Sequence, residues 1–236
     1  MEASHSAAVA VNTVRDALFE LRDEKYKAFQ SALIPTISPD LIIGIRMPAL
    51  RRFAKELAKT DDARTWMQAL PHKYYDENNL HGLLINDPKD IDAAINALDA
   101  FLPFVDNWAT CDLLRPRVFK NHPHRVFEYA LHCMKIPHIY TVRFGMEMLM
   151  LYCQGDEDMK SASHRAVAAY RSEEYYINMM IGWYFATALS DDYDSALPYL
   201  TERKLSPTAH AMAVRKARES YRIPSERKEF LFSLKQ

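Results

Sequence analysis

Apolar residues recur at three- and four-residue spacing along most of the chain, while alternating β-branched runs are missing. This spacing places apolar side chains on one face of an α-helix, so we predict about twelve helices and no sheet. The predicted helical segments are 11–33, 48–57, 80–85, 91–102, 108–114, 123–133, 139–152, 160–170, 173–189, 193–200 and 207–221. The fold class that follows is all-α.

Turn-forming residues separate these segments at regular distances. Runs such as Asn86-Asp87-Pro88 place Asp, Asn or Ser ahead of an apolar run, where a helix needs an N-cap.

Similar helix onsets occur near residues 48, 79, 108, 141, 177 and 208, and intervals of roughly 30 to 38 residues hold two helices each. The pattern predicts a superhelical solenoid of helical pairs, in which one helix of each pair lines a concave face. An irregular all-α bundle is the alternative.

The composition narrows the class of protein. The chain has 236 residues, 49% of them hydrophobic and 26% charged, which is typical of a folded domain. It has only five glycines, and the glycine motifs of dinucleotide folds, P-loops and α/β-hydrolases are absent. No apolar run is long enough to span a bilayer, and the three cysteines stand about twenty residues apart. We therefore expect one domain over residues 1–236, cytoplasmic and without a membrane segment.

Charge is balanced in total but distributed in bands. Residues 74–112 carry eight acidic side chains and one basic, whereas 113–143 carry six basic and one acidic and 201–236 nine basic and four acidic. A further basic stretch comprises Arg46, Arg51, Arg52 and Lys55. Regular stacking of helical pairs would align these bands into a basic face that attracts a polyanion. The alternative is that each band is an ordinary solvated helix surface.

Four residues are candidates for chemistry. Trp108 and Asp112 are four positions apart on one predicted helix and therefore share a face. Arg143 opens the corresponding helix of the next pair, and Trp183 lies in the one after. Successive helical pairs would present these side chains to a common groove.

Each candidate also has a structural interpretation. Both tryptophans can be core residues, Asp112 can pair with Arg115, and Arg143 can pair with Glu147 at i,i+4. A metal site is not expected among the histidines of the central segment, because no Glu or Cys stands at i,i+4 from both histidines of the His-Pro-His run. The histidines of this segment are His122, His124, His132 and His138.

Several short segments, spread in order from about residue 20 to residue 223, resemble one known family. The chain is similar to the DNA alkylation repair glycosylases of the AlkD-like, HEAT-repeat type. The segments that carry the resemblance are Ile43-Gly44-Ile45-Arg46-Met47-Pro48-Ala49-Leu50-Arg51, Asp106-Asn107-Trp108-Ala109-Thr110-Cys111-Asp112, Tyr140-Thr141-Val142-Arg143, Ile181-Gly182-Trp183 and Arg218-Glu219-Ser220-Tyr221-Arg222-Ile223.

The resemblance implies a single HEAT-repeat domain of about six helical pairs whose concave face grips double-stranded DNA. It implies a monofunctional glycosylase that hydrolyses the N-glycosidic bond of cationic N3- or N7-alkylated purines in base excision repair. Such an enzyme is expected to be a monomer with no metal or organic cofactor. Trp108, Asp112, Arg143 and Trp183 fall on the catalytic positions of the family. The expected DNA contacts are Tyr26, Arg46, Met47, Arg51, Arg115, Lys120, Arg215 and Arg218.

These residue types suit that chemistry. As the glycosidic bond breaks, positive charge builds on the deoxyribose, where a carboxylate (Asp112) can stabilise it and position water. Indole faces attract the same cation, and Arg143 can hold a phosphate. The chain departs from the family pattern at Leu151 and Ala186, where basic residues are expected. The alternatives are therefore a non-catalytic relative that binds distorted or branched DNA, or a protein-interaction scaffold.

Overall fold

Contacts divide the chain into two compact units, Met1–Val118 and Phe119–Gln236. The computed structural model describes residues 2–234, with side chains from residue 8 onward. Each unit is described by itself.

The first unit contains seven of the helices found in the described residues. They are α1 (Glu2–Phe19), α2 (Glu24–Leu33), α3 (Met47–Leu57), α4 (Asp62–Gln68), α5 (Tyr75–Ile85), α6 (Ile91–Phe101) and the single turn α7 (Trp108–Cys111). Short 3-10 segments follow α2 at Pro39–Leu41 and α6 at Leu102–Phe104.

The second unit also contains seven helices within the described range. After a 3-10 segment at Arg117–Asn121 come α8 (Pro123–Cys133), α9 (Ile139–Tyr152), α10 (Glu157–Ala169), α11 (Tyr175–Asp191), α12 (Tyr193–Thr201), α13 (Pro207–Glu219) and α14 (Ser225–Ser233). The all-α prediction is confirmed, since residues 2–234 contain helices and turns but no strand.

Side-chain caps form at three of the predicted turns, but α8 begins after His122 without one, α6 is capped by Asp90 rather than by residues 86–88, and α5 begins at Tyr75 instead of residue 80. Asp90 accepts a hydrogen bond from the Ala93 N–H, and Asp156, Asp192 and Ser206 cap their helices in the same way. The segment predicted as one helix over 11–33 is two, because the Asp23 side chain accepts the Tyr26 N–H and starts α2 afresh. Helices α4 and α14 were not predicted, and the helix predicted over 108–114 ends at Cys111.

A buried apolar cluster joins α1, α3, α4 and α5. Its fully buried members are Leu18, Leu50, Trp66 and Leu80. Burial of such side chains is the main stabilising contribution in a domain of this size. The cluster fixes the position of α5 relative to the helices that precede it.

Two acidic residues at the start of α5 hold chain segments that lie outside helices. The Asp76 carboxylate is 1% exposed and accepts the backbone N–H groups of residues 43, 44 and 45 at 2.7, 3.1 and 2.8 Å. Glu77 is also buried, and it accepts the Lys73 and Tyr74 N–H groups and pairs with Arg15 at 2.9 Å. These two residues of the acidic band are therefore buried and bonded within the first unit and add no charge to its surface.

The turn bound by Asp76 requires glycine at position 44. Gly44 has φ +93°, and a Cβ there would lie 2.5 Å from the Lys27 Cβ. Only glycine adopts this conformation freely and leaves room for α2. The turn sets the direction in which the chain enters α3.

In the second unit, α11 packs against both α9 and α13, and α8 against α9. The close approach of α11 to α13 depends on Gly182, since a Cβ at that position would lie 2.7 Å from the Met212 Cβ. Trp183 is the next residue of the same helix, and its side chain is half-buried. Gly182 thus makes the contact with α13, while the indole beside it stays partly accessible. None of the helices in the described part of the chain is long and apolar enough to cross a bilayer.

A buried aromatic column in the first unit contains two histidines. Trp66 stacks on His72 at 4.2 Å, His81 stacks on Phe101 at 4.2 Å, and the His72 Nε2 lies 2.7 Å from the His81 Nδ1. Burial disfavours the charged imidazolium and lowers the pKa of His72 to about 4 and that of His81 to about 3.

We expect this column to make folding stability fall in mild acid. Because both folded-state pKa values lie below the ordinary 6.5, the unfolded chain binds more protons, so stability is complete above about pH 6.5 and declines towards pH 4. Each histidine should contribute on the order of 1–2 kcal/mol between pH 7 and pH 5. Urea unfolding across this range, compared with a His72→Phe/His81→Phe variant, measures the effect. If the free energy of unfolding falls equally steeply with decreasing pH in the two proteins, the prediction is wrong.

Candidate functional site

Trp108 begins α7 and Asp112 directly follows its last residue, so the two lie one helical turn apart, as the spacing predicts. Asn107 caps this turn by accepting the Thr110 N–H at 2.8 Å, and the Asp112 N–H closes it on the Trp108 carbonyl at 2.9 Å. Both predicted site residues are half-buried. The Trp108 indole N–H donates to the Leu33 carbonyl at the end of α2, at 3.3 Å.

A buried polar network that sequence reasoning missed holds α7 against α5. The Thr110 hydroxyl donates to the Asn79 Oδ1 at 2.8 Å and accepts from the Asn107 amide at 3.0 Å. All three side chains are buried and satisfy one another, which fixes their geometry. The available signal was the Asn-x-x-Thr spacing of a capped turn, but nothing in it identifies Asn79 as the partner.

Asp112 lines a groove of about 710 Å³ in the first unit. The walls come from α3, from the carboxyl end of α5 with the residues after it, and from residues 112–117. Four of the lining side chains are basic and two are acidic. They are Arg51, Lys55, Arg115 and Arg117, and Asp87 and Asp112. The structure therefore brings the predicted Arg51, Arg115 and Asp112 to one groove and adds Lys55 and Arg117.

A second cluster gathers Tyr26, Arg46 and Met47 at the start of α3. The Arg46 Nε lies 2.7 Å from the Asp23 Oδ2, and its guanidinium lies 5.2 Å from the centre of the Tyr26 ring. Met47 is half-buried against the core of the unit. The hydrogen bond from the Tyr26 N–H, followed by that from Arg46, lowers the pKa of Asp23. A DNA contact by Arg46 would compete with this ion pair.

Arg143 and Trp183 come together in the second unit. The Arg143 guanidinium lies 5.9 Å from the centre of the Trp183 ring, and its Nη1 donates to the Tyr176 carbonyl at 3.0 Å. Arg143 is only 2% exposed, whereas Trp183 is half-buried. The guanidinium is therefore held in one orientation within the unit.

The other residues predicted to contact DNA in the second unit are exposed basic side chains. Lys120 lies in the 3-10 segment before α8. Arg215 and Arg218 line a cavity of about 310 Å³ on α13, where Arg215 pairs with Glu219 and Arg218 lies 4.1 Å from the centre of the Phe232 ring.

The two departures from the expected pattern differ in environment. Leu151 is exposed near the end of α9, so a basic residue there would reach solvent. Ala186 is buried in α11, so its position belongs to the packing of that helix.

A family model described as DNA alkylation repair enzyme matches residues 14–221. The chain belongs to the DNA alkylation repair enzyme family. The match includes every predicted site residue from Tyr26 to Arg218 and ends before α14. Membership in this family places the protein in the repair of alkylation damage, with DNA as its partner. No curated protein sequence matched the chain.

For a member of this DNA repair family, release of Arg46 from Asp23 should strengthen duplex binding. Asp23→Asn removes the charge that holds Arg46 but keeps the N-cap of α2, because Asn caps as well as Asp. From the predicted DNA contact of Arg46 we expect duplex affinity to rise a few-fold and the salt dependence to steepen by about one unit, as for one additional phosphate neutralised. Fluorescence anisotropy over a salt series measures both.

Asp90→Asn is the matched control, because it makes the same charge change at another N-cap of the first unit. If both variants tighten binding equally, the effect is one of net charge and Arg46 makes no phosphate contact.

Proposed function

We propose that the protein is a monofunctional DNA glycosylase that excises cationic N3- or N7-alkylated purines from duplex DNA. The observation that carries the proposal is the half-buried Asp112 carboxylate in a groove with four basic side chains, one helical turn from Trp108. The basic side chains suit phosphates, and the carboxylate suits a developing cation.

The reaction needs little general acid catalysis. An alkylated purine already carries positive charge, so the C1′–N bond breaks with its electron pair passing to the base, which leaves neutral. Asp112 stabilises the positive charge that develops on the deoxyribose and orients the water whose oxygen bonds to C1′. The proton that this water loses passes through Asp112 to solvent.

The two indoles and Arg143 have supporting roles in the proposal. The faces of Trp108 and Trp183 attract the cationic sugar and pack against it. We assign to Arg143 a phosphate beside the lesion. Its Nη1 donates to the Tyr176 carbonyl and the residue is only 2% exposed, so this contact requires the guanidinium to become accessible when DNA binds.

The proposed DNA contacts explain how a chain of net charge −1 binds a polyanion. Affinity depends on the phosphates neutralised locally, and Arg51, Lys55, Arg115 and Arg117 converge on one groove. We assign further contacts to Tyr26, Arg46, Met47, Lys120, Arg215 and Arg218, with no metal or organic cofactor. The helical pairs are proposed to be HEAT-like repeats.

A second candidate function is DNA binding without excision. It is favoured by the apolar residues Leu151 and Ala186, which stand where basic residues are expected. Ala186 is buried one turn after Trp183, so that position supplies no basic side chain to DNA. Such a relative would bind distorted or branched duplexes.

Asp112→Asn separates these functions. We expect the variant to bind duplex DNA as well as the wild type does and to lose release of 7-methylguanine by a factor of about a hundred or more, since its charge acts on the transition state. Single-turnover release from a methylated duplex at low salt measures excision, with Asp90→Asn as the charge-matched control.

Equal release by wild type and Asp112→Asn would remove Asp112 from the mechanism. Absence of release from both, with salt-sensitive duplex binding, would favour the non-catalytic function. Duplex binding that is absent or insensitive to salt would favour a protein-interaction scaffold.

A further inference from the structure

Three residues on one side of α5 and at its C-cap contact the segment around Asp112. Asn79, Gly82 and Asn86 stand at i, i+3 and i+7 and therefore follow one side of the helix. Asn79 accepts the Thr110 hydroxyl, as described above. A Cβ at Gly82 would meet the Leu114 Cδ2 at 3.0 Å, so glycine permits the chain to lie against the helix.

Asn86 makes the most extensive of these contacts, at the end of α5. Its side-chain amide donates to the Leu113 carbonyl at 2.7 Å, while its Oδ1 accepts the Arg115 N–H at 2.6 Å. Its own carbonyl accepts the Arg117 N–H at 3.2 Å. Asn86 thus binds the backbone at three alternate residues, immediately after Asp112.

The hydrogen bonds bracket Asp112 on both sides. Thr110, two residues before it, is held by Asn79, and Leu113, the residue after it, is held by Asn86. The same segment carries Arg115 and Arg117, whose side chains line the groove with Asp112 and with Asn86 itself. The Asn86 side chain therefore supplies the two contacts that hold the backbone directly after Asp112, at Leu113 and Arg115.

We infer that Asn86 is a positioning residue of the proposed glycosylase: it sets the placement of Asp112 and of Arg115 in the groove without touching the substrate. The inference rests on the proposed function. An amide is required because the site needs one donor and one acceptor on the same planar group, and a carboxylate supplies only acceptors. A misplacement of about 1 Å in a catalytic group is enough to cost up to a hundred-fold in rate.

The test uses Asn86→Ala, Asn86→Asp and a control in the second unit. Alanine is compatible with the backbone at position 86, which is right-handed helical with φ −73° and ψ −8°. The control is Gln154→Ala, because Gln154 also follows a helix and its amide donates to the Leu149 carbonyl and the Tyr184 hydroxyl, at 2.7 and 3.2 Å. It removes a comparable pair of hydrogen bonds in the second unit. Its partner Tyr184 adjoins Trp183 in the sequence, so the comparison separates loss of the contacts around Asp112 from a disturbance beside another proposed site residue.

Three quantities are measured on each protein: the thermal unfolding midpoint, the affinity for an undamaged duplex, and the single-turnover rate of 7-methylguanine release at saturating protein. We expect Asn86→Ala and Gln154→Ala to lower the midpoint to a similar extent. Only Asn86→Ala and Asn86→Asp should lose rate, on the order of ten- to a hundred-fold. Wild-type rate in Asn86→Ala, or equal rate losses in Asn86→Ala and Gln154→Ala, would overturn the inference.

Amide hydrogen exchange supplies a readout that does not depend on excision. Asn86→Ala should accelerate exchange of the Arg115 N–H, whereas Asn86→Asp, which keeps the acceptor, should leave it protected. If the wild type releases no base, the proposed function fails. The exchange then decides the inference by itself: faster exchange of Arg115 in Asn86→Ala supports the positioning contact, and unchanged exchange overturns it.

Discussion

The first unit depends on one constraint: backbone groups outside helices must find partners when they are buried. Helix α5 supplies those partners. Asp76 binds three consecutive N–H groups of the turn before α3, Glu77 binds two at its own start, and Asn86 binds the segment after α7. A single helix anchored in the apolar core thereby places the irregular segments that carry the candidate site.

This constraint also accounts for the charge distribution. The acidic band of the sequence offsets the basic groove only in part. Asp76 and Glu77 are buried and bonded to backbone groups and to Arg15, whereas Asp87 and Asp112 line the groove beside its four basic side chains. Asp23 similarly serves as a cap and as the partner of Arg46. A chain with almost no net charge can therefore present a locally basic surface, which is what affinity for DNA requires.

Regular elements were predictable from local pattern, and failures occurred where a polar contact overrode it. Apolar spacing continues through Leu18, Leu21 and Tyr26, so it does not reveal the break that Asp23 introduces. Helix α4 is seven residues long and buries only Ala63 and Trp66, too few for a periodic signal. The Trp108–Asp112 spacing was correct although the helix there is a single turn, because one turn is enough to place the two residues together.

The sequence by itself determined the all-α class, most helix boundaries and caps, membership in a DNA alkylation repair family through spaced motifs, and the local pairing of Trp108 with Asp112. These features follow from contacts within one or two turns of helix or from residue types at given positions. The tertiary structure decided which polar side chains of α5 hold the site, how deeply Arg143 is buried, and that Lys55 and Arg117 share the groove of Asp112. The partners in those contacts lie about thirty residues apart, as do Asn86 and Arg115 at 29, and no local pattern encodes which distant backbone group a side chain will meet.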